Sequence, residues 1–142
     1  SMLLHPVVHL HIFNSAGDIL LQKRSARKDI QPNKWDTSVG GHIDLGESVD
    51  IALKRETAEE LGLTDFEPKQ LYQYLFKSSV EHELVTTFST TIDSIEQITF
   101  DPEEIDEVRF WSIEEIKANL GSEILTENFK LEFNKLQSYE TE

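Results

Sequence analysis

The chain has 142 residues, 13 basic against 27 acidic side chains and no cysteine, for a formal net charge of −14. That length suits one domain burying roughly two-thirds of its unfolded surface, and the absence of cysteine excludes disulfides, a thiolate nucleophile and Cys-ligated metal. The negative charge repels phosphate backbones and anionic bilayers, and apolar runs of only a few residues cannot cross a membrane, so neither nucleic acid nor membrane is an expected partner.

Ser1 is set aside from the fold argument, and Met2-Leu3-Leu4 runs straight into His5-Pro6 without the basic and long apolar regions of a secretory leader, so a cytoplasmic location is expected. Val7 to Asn14 alternates as a strand, Ser15 to Asp18 turns, and Ile19-Leu20-Leu21 completes a hairpin. Residues 23–34 read as a loop holding Lys23, Arg24, Arg27, Lys28 and Lys34, a basic island in an acidic chain. Trp35 to Ile43 reads as one short strand broken at Gly40-Gly41, and Ser48 caps a helix that runs to about Leu61 and stops at Gly62.

Leu71 to Phe76 and Leu84 to Ile92, rich in β-branched and aromatic residues, predict two further strands. An acidic turn at Asp101 to Glu104 leads into a strand at Val108 to Trp111, and Ser112 with Glu115 forms a capping box for a short helix. Thr126 caps a last helix whose Phe129, Leu131, Phe133 and Leu136 should pack on the body. With no repeat or linker, the reading is one α/β domain with a mixed sheet over residues 3–138, ending in a frayed tail at 139–142.

The segment from Gly41 to Leu63 carries the chemistry. On a helix Glu56, Glu59 and Glu60 fall at i, i+3 and i+4 and share a face. At 100° per residue, Glu56 and Glu60 point within about 40° of the common direction of Val49 and Leu53, along the apolar stripe rather than opposite it. Carboxylates held that close repel one another unless a cation intervenes, and clustered oxygens suit a hard divalent ion such as Mg²⁺ or Mn²⁺. The plainer alternative is a Glu-rich surface helix neutralised by Lys54 and Arg55.

The spacing of Gly41, Glu47, Arg55-Glu56, Glu59-Glu60, Gly62 and Leu63 resembles the Nudix box, with every fixed position filled. At residue frequencies of about 6–7% each, chance produces such a match on the order of once in a million. Thr57 departs from the pattern, which prefers a bulky aliphatic there, and this bears on packing rather than metal binding. The resemblance implies a Nudix-type α/β/α sandwich in which Glu56, Glu59 and Glu60 hold Mg²⁺ or Mn²⁺ against a diphosphate, one of them aligning the attacking water. It also implies that Glu47 and Arg55 pair to fix loop and helix, and that the backbone at Gly41 approaches the metal closely.

Within the superfamily, Trp35-Asp36-Thr37-Ser38-Val39-Gly40-Gly41-His42-Ile43-Asp44-Leu45-Gly46-Glu47-Ser48 resembles the same stretch of type I isopentenyl-diphosphate isomerases. Phe13-Asn14 keeps a matching spacing, and Glu81-His82-Glu83 falls where those enzymes have Glu-x-Glu. The resemblance implies a second metal site at His5, His42, Glu81 and Glu83, and diphosphate contacts from Arg24 and Lys28, joined here by Arg27. It also places Gly40 where the isomerases carry a catalytic cysteine, so half of an allylic acid–base pair is missing while the hydrolytic box is intact.

His9 and His11 share the strand face of His5, and the ordinary reading is that they are hydrogen-bonded core residues. Glu83 is an additional ligand or general base, against the alternative of an exposed acidic edge, and Asp101 to Glu107 reads as a solvated loop. The function expected is metal-assisted hydrolysis of a diphosphate bond in a small nucleoside-linked or similar molecule, with a homodimer left open. The alternatives are an isopentenyl-diphosphate isomerase-like enzyme and a non-catalytic nucleotide-binding module on the same fold.

Overall fold

The computed structural model describes residues 3–80 and 82–141. Glu81 therefore lies outside the described residues. The elements are β1 (Leu4–Phe13), β2 (Ile19–Arg24), β3 (Trp35–Asp36), β4 (Val39–His42), α1 (Val49–Leu61), β5 (Lys69–Lys77), β6 (His82–Thr91), β7 (Ile105–Trp111), α2 (Ile113–Ala118) and α3 (Glu127–Thr141). A single 3₁₀ turn spans Ile95–Gln97. No helix among the described residues is long and apolar enough to cross a membrane.

Strand β1 organises a seven-stranded mixed sheet. It runs parallel to β6 from Leu4↔His82 to Phe13↔Thr91, and β5 lies antiparallel on the far side of β6. The other edge of β1 is divided. Phe13 pairs with Ile19 of β2 near the hairpin, and the two strands then diverge. The chain from Trp35 to His42 enters this fork, with β3 on β2 (Gln22↔Asp36, Lys23↔Trp35) and β4 on β1 (Val7↔His42 to Leu10↔Val39). The single strand expected over 35–43 is thus two short ones, because its halves pair with different neighbours.

Ser38 sits fully buried at the point of the fork. Its hydroxyl accepts from the Ile12 amide and donates to the Leu20 carbonyl, supplying partners to one group on each diverging strand. On β1 the even-numbered Val8, Leu10 and Ile12 join the apolar cluster that includes Ala52, Leu53 and Leu61 of α1. On the opposite face, Ile19, Leu21, Trp35 and Trp111 pack with Ile116 of α2 and Phe129, Phe133 and Leu136 of α3. Helices therefore cover both faces, giving the expected α/β/α sandwich.

Helix α1 begins and ends where its caps dictate. The Ser48 side chain accepts from the Ile51 amide, and Gly62 closes the helix with φ 62°, a left-handed conformation that a Cβ would strain. Thr57 is fully buried and donates from Oγ1 to the Leu53 carbonyl at 2.7 Å, so the departure from the box is a packing residue with its hydroxyl satisfied. The capping box of Ser112 and Glu115 forms on α2. Two expectations for α3 change. Leu131 is only partly buried while Glu132 takes the inward position, and the helix continues to Thr141 through the expected tail.

Candidate active site

Strand β4 brings Gly40 and Gly41 between α1 and the opposite face of the sheet. A Cβ on Gly41 would lie 2.2 Å from Glu56 Cδ, so a side chain here would push the Glu56 carboxylate from its place. Arg55 fastens the contact. Its Nε and Nη2 donate to the two Glu47 oxygens at 2.6 and 2.9 Å, and Nη2 also donates to the His42 carbonyl at 3.0 Å. Nη1 donates to Glu56 at 2.7 Å and Glu59 at 3.3 Å. The Arg55 fork and the Asp44 amide hold the Glu47 carboxyl down at about 2.

The three box glutamates face different surroundings. Glu59 is largely exposed, Glu56 is partly covered beneath Arg55, and Glu60 accepts from Gln22 Nε2 at 2.9 Å. Burial pushes the Glu60 carboxyl up to about 8, and Glu56 adds to the rise, while hydrogen bonds from Gln22 and the Gly40 amide oppose it. Among the described residues, no three His, Asp or Glu side chains already close on one point as a metal cage.

Two adjoining cavities meet at Gln22, Arg24, Gly40 and Glu60. The first, about 220 Å³, holds His42, Glu83, His9, Asp36, Thr37 and Asn128 among its walls. The second, about 420 Å³, adds Lys28, Glu59, Asp101 and Glu104. Arg27 lines neither; it stands in an outer groove with Arg24 and Lys28. The acidic turn before β7 is not merely solvated. Glu103 pairs with Arg27 at 2.5 Å and Glu104 pairs with Lys28, so the turn folds onto the basic loop.

Of the residues compared with the isomerase metal site, His5, His42 and Glu83 lie near one another without forming a three-ligand group, and Glu81 lies outside the described residues. His5 and Glu83 are register partners across β1 and β6, the His5 and His42 rings pack edge to face at 6.2 Å, and His42 Nε2 lies 3.9 Å from Glu83 Oε2. His9 and His11 are both buried on the same face, but with different outlooks. His9 lines the first cavity, whereas His11 donates from Nε2 to Glu132 Oε1 at 2.9 Å.

Glu132 was not singled out in the sequence. It is fully buried, 3.4 Å from His9 Nδ1, and also accepts from Thr87, Tyr72 and Tyr74. Burial alone would raise its carboxyl, but the hydrogen bond from His11 and the nearby His9 ring outweigh this and hold it well below the usual carboxylate range. A carboxylate between Phe129, Phe133 and Leu136 on the apolar stripe of α3 is the signal that would have found it. Gln22, directly after Ile19-Leu20-Leu21, is a similar polar intrusion; Asp36, Thr37 and Asn128 give no such mark.

Residues 3–129 match the family described as the NUDIX domain. The chain is 37% identical over 117 residues to an uncharacterized Nudix hydrolase, lin0387, of Listeria innocua, covering 81% of this chain and 68% of that protein. It is 32% identical over 105 residues to an isopentenyl-diphosphate Delta-isomerase of Shigella boydii, covering 70% of this chain and 58% of that enzyme. The crystal structure of DR0079 from Deinococcus radiodurans superposes with a TM-score of 0.81 at 24% identity, over 92% of this chain and 82% of that one. The chain belongs to the Nudix family, and its relatives include Nudix hydrolases and isomerase-named proteins.

Proposed function

We propose that the chain is a Mg²⁺- or Mn²⁺-dependent hydrolase of a diphosphate bond in a small molecule. The observation that carries this reading is the seating of Glu56 against Gly41, with Glu60 at the junction of two cavities that Arg24 also lines. The donor set fits a hard divalent ion: carboxylate oxygens from Glu56, Glu59 and Glu60, and a backbone at Gly41 open to close approach. When bound, such an ion supplies charge neutralisation at the phosphates and a water of lowered pKa.

The remaining work falls to the chain itself. Arg24 and Lys28 face the outer phosphate, with Arg27 at the mouth of the groove. Glu83, only 16% exposed at the wall of the first cavity, is placed to take the proton of the attacking water. The Glu47–Arg55 fork keeps the loop and α1 in register, so the carboxylates are held before substrate arrives.

Hydrolysis is favoured over isomerisation because Gly40 presents no acid or base to the cavity and the chain has no cysteine. The decisive screen offers nucleoside diphosphate sugars, dinucleotides, deoxynucleoside triphosphates and isoprenyl diphosphates with Mg²⁺ and with Mn²⁺. Cleavage of at least one at the phosphoanhydride is expected. Tight binding without any product would favour a nucleotide-binding module instead, and double-bond migration in isopentenyl diphosphate would favour the isomerase.

A further inference from the structure

The buried network around Glu132 has no part in that chemistry, yet it ends at the first cavity. His9 turns Nδ1 toward Glu132, 3.4 Å away. Its opposite edge lies over Gly40, where an added Cβ would meet His9 Cδ2 at 3.2 Å and Nε2 at 3.6 Å. Glu132 is fixed in turn by His11, Tyr72, Tyr74 and Thr87, so the carboxylate cannot swing away from the ring. An imidazole oriented from behind by a buried carboxylate and open in front to a cavity is in position to hydrogen-bond a ligand.

The rest of that cavity points to the ligand's chemistry. Val7 is the only aliphatic side chain on its wall, and no Phe, Tyr or Trp is there among the described residues. Thr37 lines it as well and is 4% exposed, yet its Oγ1 has no hydrogen-bond partner. Gln22, Arg24 and Asn128 complete a wall of donors and acceptors. A hydrocarbon would leave these groups desolvated and unpaired, and a flat base would find no aromatic face to stack on.

We propose that this cavity binds a compact, hydroxyl-bearing group attached to the substrate diphosphate, with His9 as a direct specificity contact and Glu132 as the residue that positions it. The assignment rests on the diphosphate reading above. Ribose 5-diphosphate and isopentenyl diphosphate test it, since each joins a five-carbon group to the same diphosphate, and inorganic pyrophosphate reports the diphosphate site alone.

Titration calorimetry with Mg²⁺ should show ribose 5-diphosphate binding at least about 10²-fold tighter than isopentenyl diphosphate, the discrimination of a site built to hydrogen-bond. His9→Phe should erase that preference and leave pyrophosphate affinity unchanged, and His9→Gln should restore part of it. In the unsubstituted protein, long-range ¹H–¹⁵N spectra should show the His9 Nδ1 protonated. The Nε2 signal should move on adding ribose 5-diphosphate but not pyrophosphate, and Glu132→Gln should shift the proton from Nδ1 to Nε2. Equal binding of the two five-carbon probes, or a His9 signal indifferent to both, overturns the assignment alone. Failure of all three compounds to bind contradicts the diphosphate reading itself.

Discussion

At the scale of single residues, the site depends on contacts that tolerate no extra atom. Glu56 lies where a Gly41 side chain would be, and Arg55 donates to its carboxylate there at 2.7 Å. Gly41→Ala should therefore fold normally but lose activity by about 10- to 100-fold, the usual cost of disturbing the support of a ligand. Matched melting curves and initial rates check this; unchanged rates would mean that the close approach serves packing only. The Glu47–Arg55 fork makes a pH prediction. A carboxyl held at about 2 contributes stability that is complete above the unfolded value near 4.3 and is lost as pH falls toward 2. The difference in melting temperature between the native protein and Glu47→Gln should thus shrink over that interval. The box glutamates were legible in the sequence because a helix translates spacing into a shared face. Glu132 was not, since its partners His11 and Thr87 are 121 and 45 residues away.

At the scale of elements, ends set by local chemistry were readable and pairings were not. Ser48, Gly62 and the Ser112–Glu115 box placed the helix ends because each signal acts within four residues. The split of 35–42 into β3 and β4 depends on the divergence of β1 and β2, a non-local event that no local pattern encodes. Ser38 is its consequence. Ser38→Ala would leave the buried Ile12 amide and Leu20 carbonyl without that partner, at about 1–3 kcal/mol for each group left unsatisfied. Urea denaturation should show a loss of at least about 2 kcal/mol, against less than about 0.5 for an exposed serine such as Ser15.

At the scale of the whole molecule, an acidic protein with a net charge of −14 places its basic loop beside the proposed diphosphate site and covers it with its own acid. Glu104 on Lys28 competes with an incoming phosphate. Exposed pairs of this kind are worth about 0.2–1 kcal/mol, so Glu104→Gln should lower KM by up to about fivefold at low salt, with little change in kcat and a smaller effect at high salt. The α/β/α order was legible from alternating element types, whereas the closing of one acidic loop onto one basic loop was not, because surface charges of both signs have many partners to choose from.

The central claim is that the carboxylate face of α1 supports hydrolysis at phosphorus, and ³¹P NMR of a diphosphate substrate in ¹⁸O-labelled water tests it most directly. With Mg²⁺ or Mn²⁺ the account predicts two phosphate-bearing products, one carrying ¹⁸O, no reaction in excess chelator, and a loss of at least about 10² in rate for Glu60→Gln. Cleavage that survives both chelator and Glu60→Gln, or conversion of isopentenyl diphosphate with its diphosphate intact and no ¹⁸O incorporated, would contradict it.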